Sequence, residues 1–278
     1  SKIDLVFSSI YRRIDEKLKE KMTEENDEVR QTIRNDYETI INFYHLAEGF
    51  KIIEKPEDLD LNQDSKNMDV VLHLEGGDVI TKPEDLEELY VRGIRSVGIL
   101  YNHDNLLGGG ARGDKSRGLT SLGFKIVDKI REMNMVIDIA HCNRKTAGQV
   151  IDRLDSYNKL AVTHTGLGES ERLVDLDLVK KISSAGGVVG LTPVKGFFPN
   201  FSKYLDSFKM ISDKIGSVKN LAIASDFGGV DSKYLFKEFD DIGKISRIAE
   251  GLSSRGGYSD EEIADIMYGN LERLVNSF

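Results

Sequence analysis

The stretch VIDIAHCNRKTAGQVIDRLDSYNKLAVTH, residues 136–164, decides how the chain is read. It holds two short apolar runs, Val136–His141 and Leu160–His164, separated by a helical pattern over Lys145–Leu154. Both runs are apolar on successive residues, the pattern of strands covered on both faces. Two such strands joined through a helix are parallel, with a right-handed crossover between them. Each run also ends in a histidine.

The same alternation extends in both directions. Further strands are expected at Ile3–Ser8, Val70–Glu75, Ser96–Tyr101, Val188–Thr192 and Leu221–Asp226, and helices at Pro83–Arg92, Ser121–Asn134 and Asp177–Ala185. That makes seven strands, with an eighth expected between Asp240 and Gly257. The pattern predicts an α/β fold, a (β/α)8 TIM-type barrel of regular or distorted form, as one hydrolase domain over residues 1–278. A helical insertion follows the first strand. Its apolar stripe is Ile10, Ile14, Leu18 and Met22, then Val29, Ile33, Tyr37 and Ile41, in a charged background. Glu54–Asn67 is a polar loop, and Ser259-Asp260-Glu261-Glu262 opens the last helix with an N-cap and an acidic first turn.

Composition excludes several classes of function. The chain has 47 acidic against 38 basic residues, a formal charge of −9, which argues against nucleic acid or an anionic membrane as partner. No stretch approaches the roughly 20 apolar residues of a membrane span, and the start, Ser1-Lys2-Ile3-Asp4-Leu5, has no signal-peptide pattern. The single cysteine, Cys142, forbids an internal disulfide and fits a reducing compartment. A cytoplasmic setting is the expectation.

Chemistry gathers where the strands end: Glu75, Tyr101-Asn102, His141, His164, Thr192 and Asp226. In a parallel barrel the C-terminal strand ends form the active-site mouth. A lone strand-end histidine is commonly structural. Two of them, with Glu75 and Asp226 at equivalent positions, favour a metal, since buried carboxylates are costly unless paired or coordinated. Two histidines and one carboxylate leave one tetrahedral zinc position open. Asp226 could then move protons, although Asp226-Phe227-Gly228-Gly229 also reads as a capping turn. His73, two residues before Glu75, faces the same side of its strand and is read as a hydrogen-bonded core residue rather than a substitute ligand. His45 and His103 read as surface residues and Cys142 as packing. The loop Leu106–Gly118, with Gly108-Gly109-Gly110, Arg112, Lys115 and Arg117, reads as a mobile lid in preference to a phosphate cradle.

These residues resemble the membrane (renal) dipeptidase family of zinc metallopeptidases. The resemblance runs over roughly residues 70–275 and is carried by motifs in order. They are Leu74-Glu75-Gly76-Gly77, Gly93-Ile94-Arg95 leading to Tyr101-Asn102 and Asn105, Gly118-Leu119-Thr120 and Met133-Asn134-Met135. There follow Ile137-Asp138-Ile139-Ala140-His141, Val162-Thr163-His164-Thr165 with Arg172 and Asp175, Gly186–Gly190, Ala224–Gly229, and Tyr258-Ser259-Asp260-Glu261-Glu262 with Gly269-Asn270. The resemblance implies Glu75, His141 and His164 as metal ligands, Asp226 as the catalytic proton carrier, and Arg172, Tyr101 and Asn102 as substrate-binding residues.

The first strand departs from the pattern. The family carries a His-x-Asp pair there for a second metal, and here Val6 and Ser8 are read at those positions. Neither replaces a metal ligand, so one zinc per chain is expected. The implied activity is hydrolysis of an amide bond in a small substrate such as a dipeptide. The alternative is a degenerate barrel that binds a ligand or protein, with the Ile10–His45 insert as its contact surface. A phosphate-binding isomerase rests on the Gly108 loop alone. The expected partner is a small molecule, not nucleic acid or membrane, and a homodimer is compatible with the sequence.

Overall fold

The computed structural model describes residues 5–11, 27–60, 66–154, 157–255 and 257–278. The chain divides into two compact units, one over Ile3–Asp155 with Val275–Phe278 and one over Ser156–Leu274.

In the first unit the elements run β1 (Leu5–Ile10), α1 (Asp27–Leu46), β2 (Phe50–Ile52), β3 (Met68–Glu75), α2 (Glu84–Val91), β4 (Ile94–Gly98), α3 (Ser121–Glu132), β5 (Val136–Asp138) and α4 (Arg144–Leu154). Every strand pair in this unit is parallel. Strand β3 is its centre, with Val70, Val71, Leu72 and Leu74 all fully buried. That is why the run carries no polar alternation. β1 pairs along Asp69–Leu74, β2 along Met68–Val70 and β4 along Leu72–Glu75. A strand has two edges, so β2 and β4 share one of them. The final residues return to this unit, where Val275 packs with Ile53 and Val71, and Phe278 lies against them beside Leu5, Phe7 and Leu59.

The helix after β1 buries Ile33, Tyr37 and Ile41 through its expected apolar stripe. Ile10, assigned to that stripe from sequence, instead ends β1, where it is fully buried. Ile14, Leu18 and Met22 lie outside the described residues.

The second unit runs β6 (Leu160–Thr165), α5 (Leu176–Ser184), β7 (Val188–Leu191), α6 (Phe201–Ile215), β8 (Leu221–Ile223), α7 (Ser246–Arg255), α8 (Asp260–Ala264) and, after a π turn at Asp265–Gly269, α9 (Asn270–Val275). Its strands are again parallel. Side-chain caps set the helix starts: Asp175 accepts from Leu178 N, Asn200 from Lys203 N, and Ser259 forms a capping box with Glu262. Buried Asn270 anchors the last helix under β8 by donating to the carbonyls of Val218 and Leu221, both at 2.8 Å.

Two expectations are corrected. No strand lies among the described residues 240–255, which form one 3-10 turn, Ile242–Lys244, and α7. The eighth strand is β2, too short at three residues to announce itself. The second correction is one of register. Ser9 stands opposite His73 and Ile10 opposite Leu74. Paired residues of neighbouring strands share a face, and faces alternate along each strand. Ser9 and Tyr11 therefore stand on the Glu75 face, while Val6 and Ser8 stand on the other. The Ser8 hydroxyl accordingly bonds the Tyr44 hydroxyl of α1.

Among the described residues, no helix is long and apolar enough to cross a membrane.

Candidate metal centre

In the first unit the site grows from the ends of β3, β4 and β5. Glu75 ends β3 and is 7% exposed, and His141, three residues past β5, is 6% exposed. Asn102 and His141 have φ of 58° and 65°, a left-handed conformation that non-glycine residues seldom adopt. Such strain is held only where the surroundings over-determine it, and it collects at functional sites. It also explains why β4 and β5 end before the residues expected to terminate them. Gly76, at φ 102°, is required locally, because a Cβ there would meet the Cβ of Tyr101 at 2.9 Å.

The two strained residues are hydrogen-bonded to each other. His141 Nδ1 lies 2.9 Å from Asn102 Oδ1, and an amide oxygen only accepts, so Nδ1 carries the proton. Nε2 lies 3.1 Å from Glu75 Oε1. Such a buried imidazole–carboxylate contact is satisfied either by a proton on Nε2 or by a cation that both atoms ligate. This is how a ligating histidine is held, one nitrogen fixed by an acceptor and the other presented to the metal. The residues present fit a divalent ion.

Aromatic rings flank this corner. The Tyr101 ring lies 4.5 Å from the His141 ring, and the Tyr11 ring 4.5 Å from Tyr101. One layer below Glu75, His73 is 1% exposed, with Nδ1 2.8 Å from Ser96 Oγ and Nε2 3.4 Å from Asp138 Oδ2. It is the core histidine expected from sequence. Sequence reading missed Asp78, three residues past Glu75. Burial pushes its carboxyl up to about 6, against the opposing pull of the Asn105 amide and of Arg30. Arg30, itself buried, is the signal that could have found it.

The glycine loop does not present its N–H groups as a phosphate cradle. Gly108 N donates to Asn105 Oδ1, Gly109 N to Thr146 Oγ1 and Gly110 N to Asp104 Oδ1. Asn143 closes the loop by donating to the carbonyls of Asp114 and Arg117. The donors a phosphate would need are engaged, and the loop is tied at both ends. Cys142 is a buried free thiol, as expected for packing. His45 is exposed, with Nε2 3.2 Å from Arg92 O.

In the second unit His164 stands within β6, one residue before its end, and is 7% exposed. Its Nδ1 lies 2.9 Å from Thr163 Oγ1. Arg172 donates from Nη1 to the His164 carbonyl at 3.0 Å, and its guanidinium lies 5.2 Å over the Phe197 ring. Arg172 is thereby fixed beside His164, while the Asp175 carboxylate caps α5. Asp226 lies three residues past β8 with φ 53°, half-buried, and its carbonyl accepts from Gly229 N and Val230 N. Both sequence readings of Asp226, capping turn and chemical residue, are compatible with that conformation.

Parallel strand–helix units with buried carboxylate and imidazole groups at the strand ends define the class of metal-dependent α/β hydrolases. The chain belongs to the membrane dipeptidase family, peptidase family M19, whose model matches residues 1–277. It is thus a metallodipeptidase-like hydrolase. Among curated proteins it is 25% identical over 253 residues to an uncharacterised Klebsiella pneumoniae protein encoded in the pqqA 5′ region, covering 84% of this chain and 90% of that one. It is 26% identical over 207 residues to an uncharacterised dipeptidase of Schizosaccharomyces pombe, covering 69% of this chain but only 48% of the yeast protein.

Solved structures share the fold. An M19 dipeptidase has a TM-score of 0.79 at 18% identity, over 90% of this chain and 78% of that one. A Rhodobacter sphaeroides metallopeptidase, liganded with a phosphinate mimic of L-Ala-D-Ala, has a TM-score of 0.78 at 17% identity, over 90% and 75%. The expected TIM-type α/β class holds.

Proposed function

We propose that the protein hydrolyses the amide bond of a dipeptide or similar small substrate, with one zinc ion held by Glu75, His141 and His164. The observation that carries this reading is chemical and metric. In the first unit Glu75 and His141 are buried with Oε1 and Nε2 3.1 Å apart, and in the second His164 is likewise buried near the end of β6. Two imidazoles and a carboxylate suit zinc and leave a fourth position open. A divalent metal there supplies Lewis-acid polarisation of a carbonyl and makes water more acidic.

The chain's own residues do the rest. Asn102 holds the His141 ring with Nε2 free of a proton. Asp226 accepts a proton from the attacking water and returns it to the leaving amine. Arg172 binds the substrate carboxylate, for which its planar fork is suited. Its Nη1 donates to the His164 carbonyl, which keeps the guanidinium beside that histidine. Tyr101 and Asn102, which contact the His141 ring, bind the substrate beside it. The dipeptide mimic in the Rhodobacter neighbour supports a dipeptide as the substrate class. The buried thiol of Cys142 supports a reducing, cytoplasmic setting.

A second reading, a metal-binding barrel without turnover, is favoured by one feature. The face of β1 that would carry a second ligand pair carries Ser9 and Tyr11. Metal analysis of purified protein, followed by a screen of dipeptides and acylated amino acids with zinc-loaded enzyme, separates the readings. Bound zinc with hydrolysis supports the first, and bound zinc with every substrate uncleaved supports the second.

A further inference from the structure

The residue that follows strand β1, Tyr11, is one that the proposed mechanism leaves unused. Ile10 is opposite Leu74, so Tyr11 follows on the face of Glu75. Its ring lies 4.5 Å from Tyr101 at 41°, and Tyr101 lies 4.5 Å from His141 at 43°. Three tilted rings therefore form a continuous wall that starts at a proposed metal ligand. Both tyrosines keep some of their surface accessible, whereas His141 and Asn102 behind them are buried. Gly76 is shaped to let Tyr101 approach, since any side chain there would collide with its Cβ.

We propose that Tyr11 and Tyr101 form an aromatic subsite that selects substrates with a flat aromatic side chain beside the scissile amide. The assignment rests on the metal-dependent dipeptidase reading and deepens it by naming the substrate class. The physical reason is that aromatic pairs gain more than buried area alone, in offset or tilted geometry at the separations seen within this wall. A third ring laid against Tyr11 continues the stack, whereas a methyl group cannot. Tyr11 is a specificity-determining residue and moves no proton.

The chain contains no tryptophan, so a ligand's indole can be watched without background. The probes are two uncleavable dipeptide analogues with the amide reduced to CH2–NH, Trp-Ala and Ala-Trp, against the reduced Ala-Ala analogue. The protein is the zinc-loaded chain. Indole emission reports binding of the tryptophan analogues, and competition reports that of Ala-Ala. At least one tryptophan analogue is expected to bind wild type roughly 3- to 10-fold tighter than Ala-Ala. Tyr11→Leu should remove that preference while keeping its zinc content, and Tyr11→Phe should retain it.

Equal binding of all three analogues to wild type overturns the proposal, as does absence of binding by either tryptophan analogue. A preference that survives in Tyr11→Leu overturns it too. None of these readouts needs turnover. Hydrolysis without an aromatic preference would therefore sink this subsite alone, and an aromatic preference without hydrolysis would sink the proposed activity alone.

Discussion

Strands β1 and β3 pair residue for residue, from Leu5 with Asp69 to Ile10 with Leu74, and they end in unlike chemistry. β3 delivers Glu75 to a buried corner where its Oε1 lies 3.1 Å from His141 Nε2. Directly after β1 stands Tyr11, its ring tilted against that of Tyr101. One scaffold thus presents a ligand on one strand and an apolar wall on its neighbour. The lesson is that parallel pairing fixes where side chains stand and leaves open what they do.

The largest expected effect comes from breaking the intact side. His141→Ala should empty the proposed metal position and abolish hydrolysis together, read by metal analysis and a dipeptide assay. Asp226→Asn keeps the shape but cannot accept a proton. It should retain zinc while kcat falls by roughly 10²–10⁴-fold. Loss of zinc in that variant would make Asp226 a ligand instead. Asn102→Ala removes the acceptor that fixes the His141 ring. It should weaken zinc binding roughly 10–100-fold, measured by competition with a chelator.

The smallest effect concerns the turn after β3. Asp78 holds its proton up to about pH 6 in the folded protein, whereas an unfolded aspartate loses it near 3.8. Between those values the folded state binds more protons than the unfolded one, so Asp78 makes stability fall as pH rises from about 4 to 6. The full shift corresponds to a loss of order 1–3 kcal/mol across that window. Denaturant melts of Asp78→Asn should lack that component of the slope, and an unchanged pH profile would refute the assignment.

The sequence disclosed the strand ends because chemistry there interrupts otherwise continuous apolar runs. Glu75, His141 and His164 were legible for that reason. The register of β1 was not. Leu5-Val6-Phe7 are apolar on both faces, so no alternation says which residues look toward Glu75, and a one-residue slip exchanges the faces. Only pairing with β3 brings Ser9 and Tyr11 forward in place of Val6 and Ser8. β2 was invisible because three residues carry no period. The ties of the glycine loop, Asp104, Asn143 and Thr146, were not legible because they look in sequence like ordinary loop polarity. The left-handed backbone at Asn102, His141 and Asp226 has only a weak sequence signature, since Asn, His and Asp adopt it more readily than other non-glycine residues but mostly do not.

The central claim is that the corner formed with β3 binds a metal and the end of β1 does not. Equilibrium dialysis against zinc, followed by elemental analysis, tests it on wild type beside Ser9→His/Tyr11→Asp, which restores a His-x-Asp pair to the face of Glu75. The account predicts one tightly held zinc per wild-type chain and a second in the double variant. Two zinc ions in wild type, or none, would contradict it.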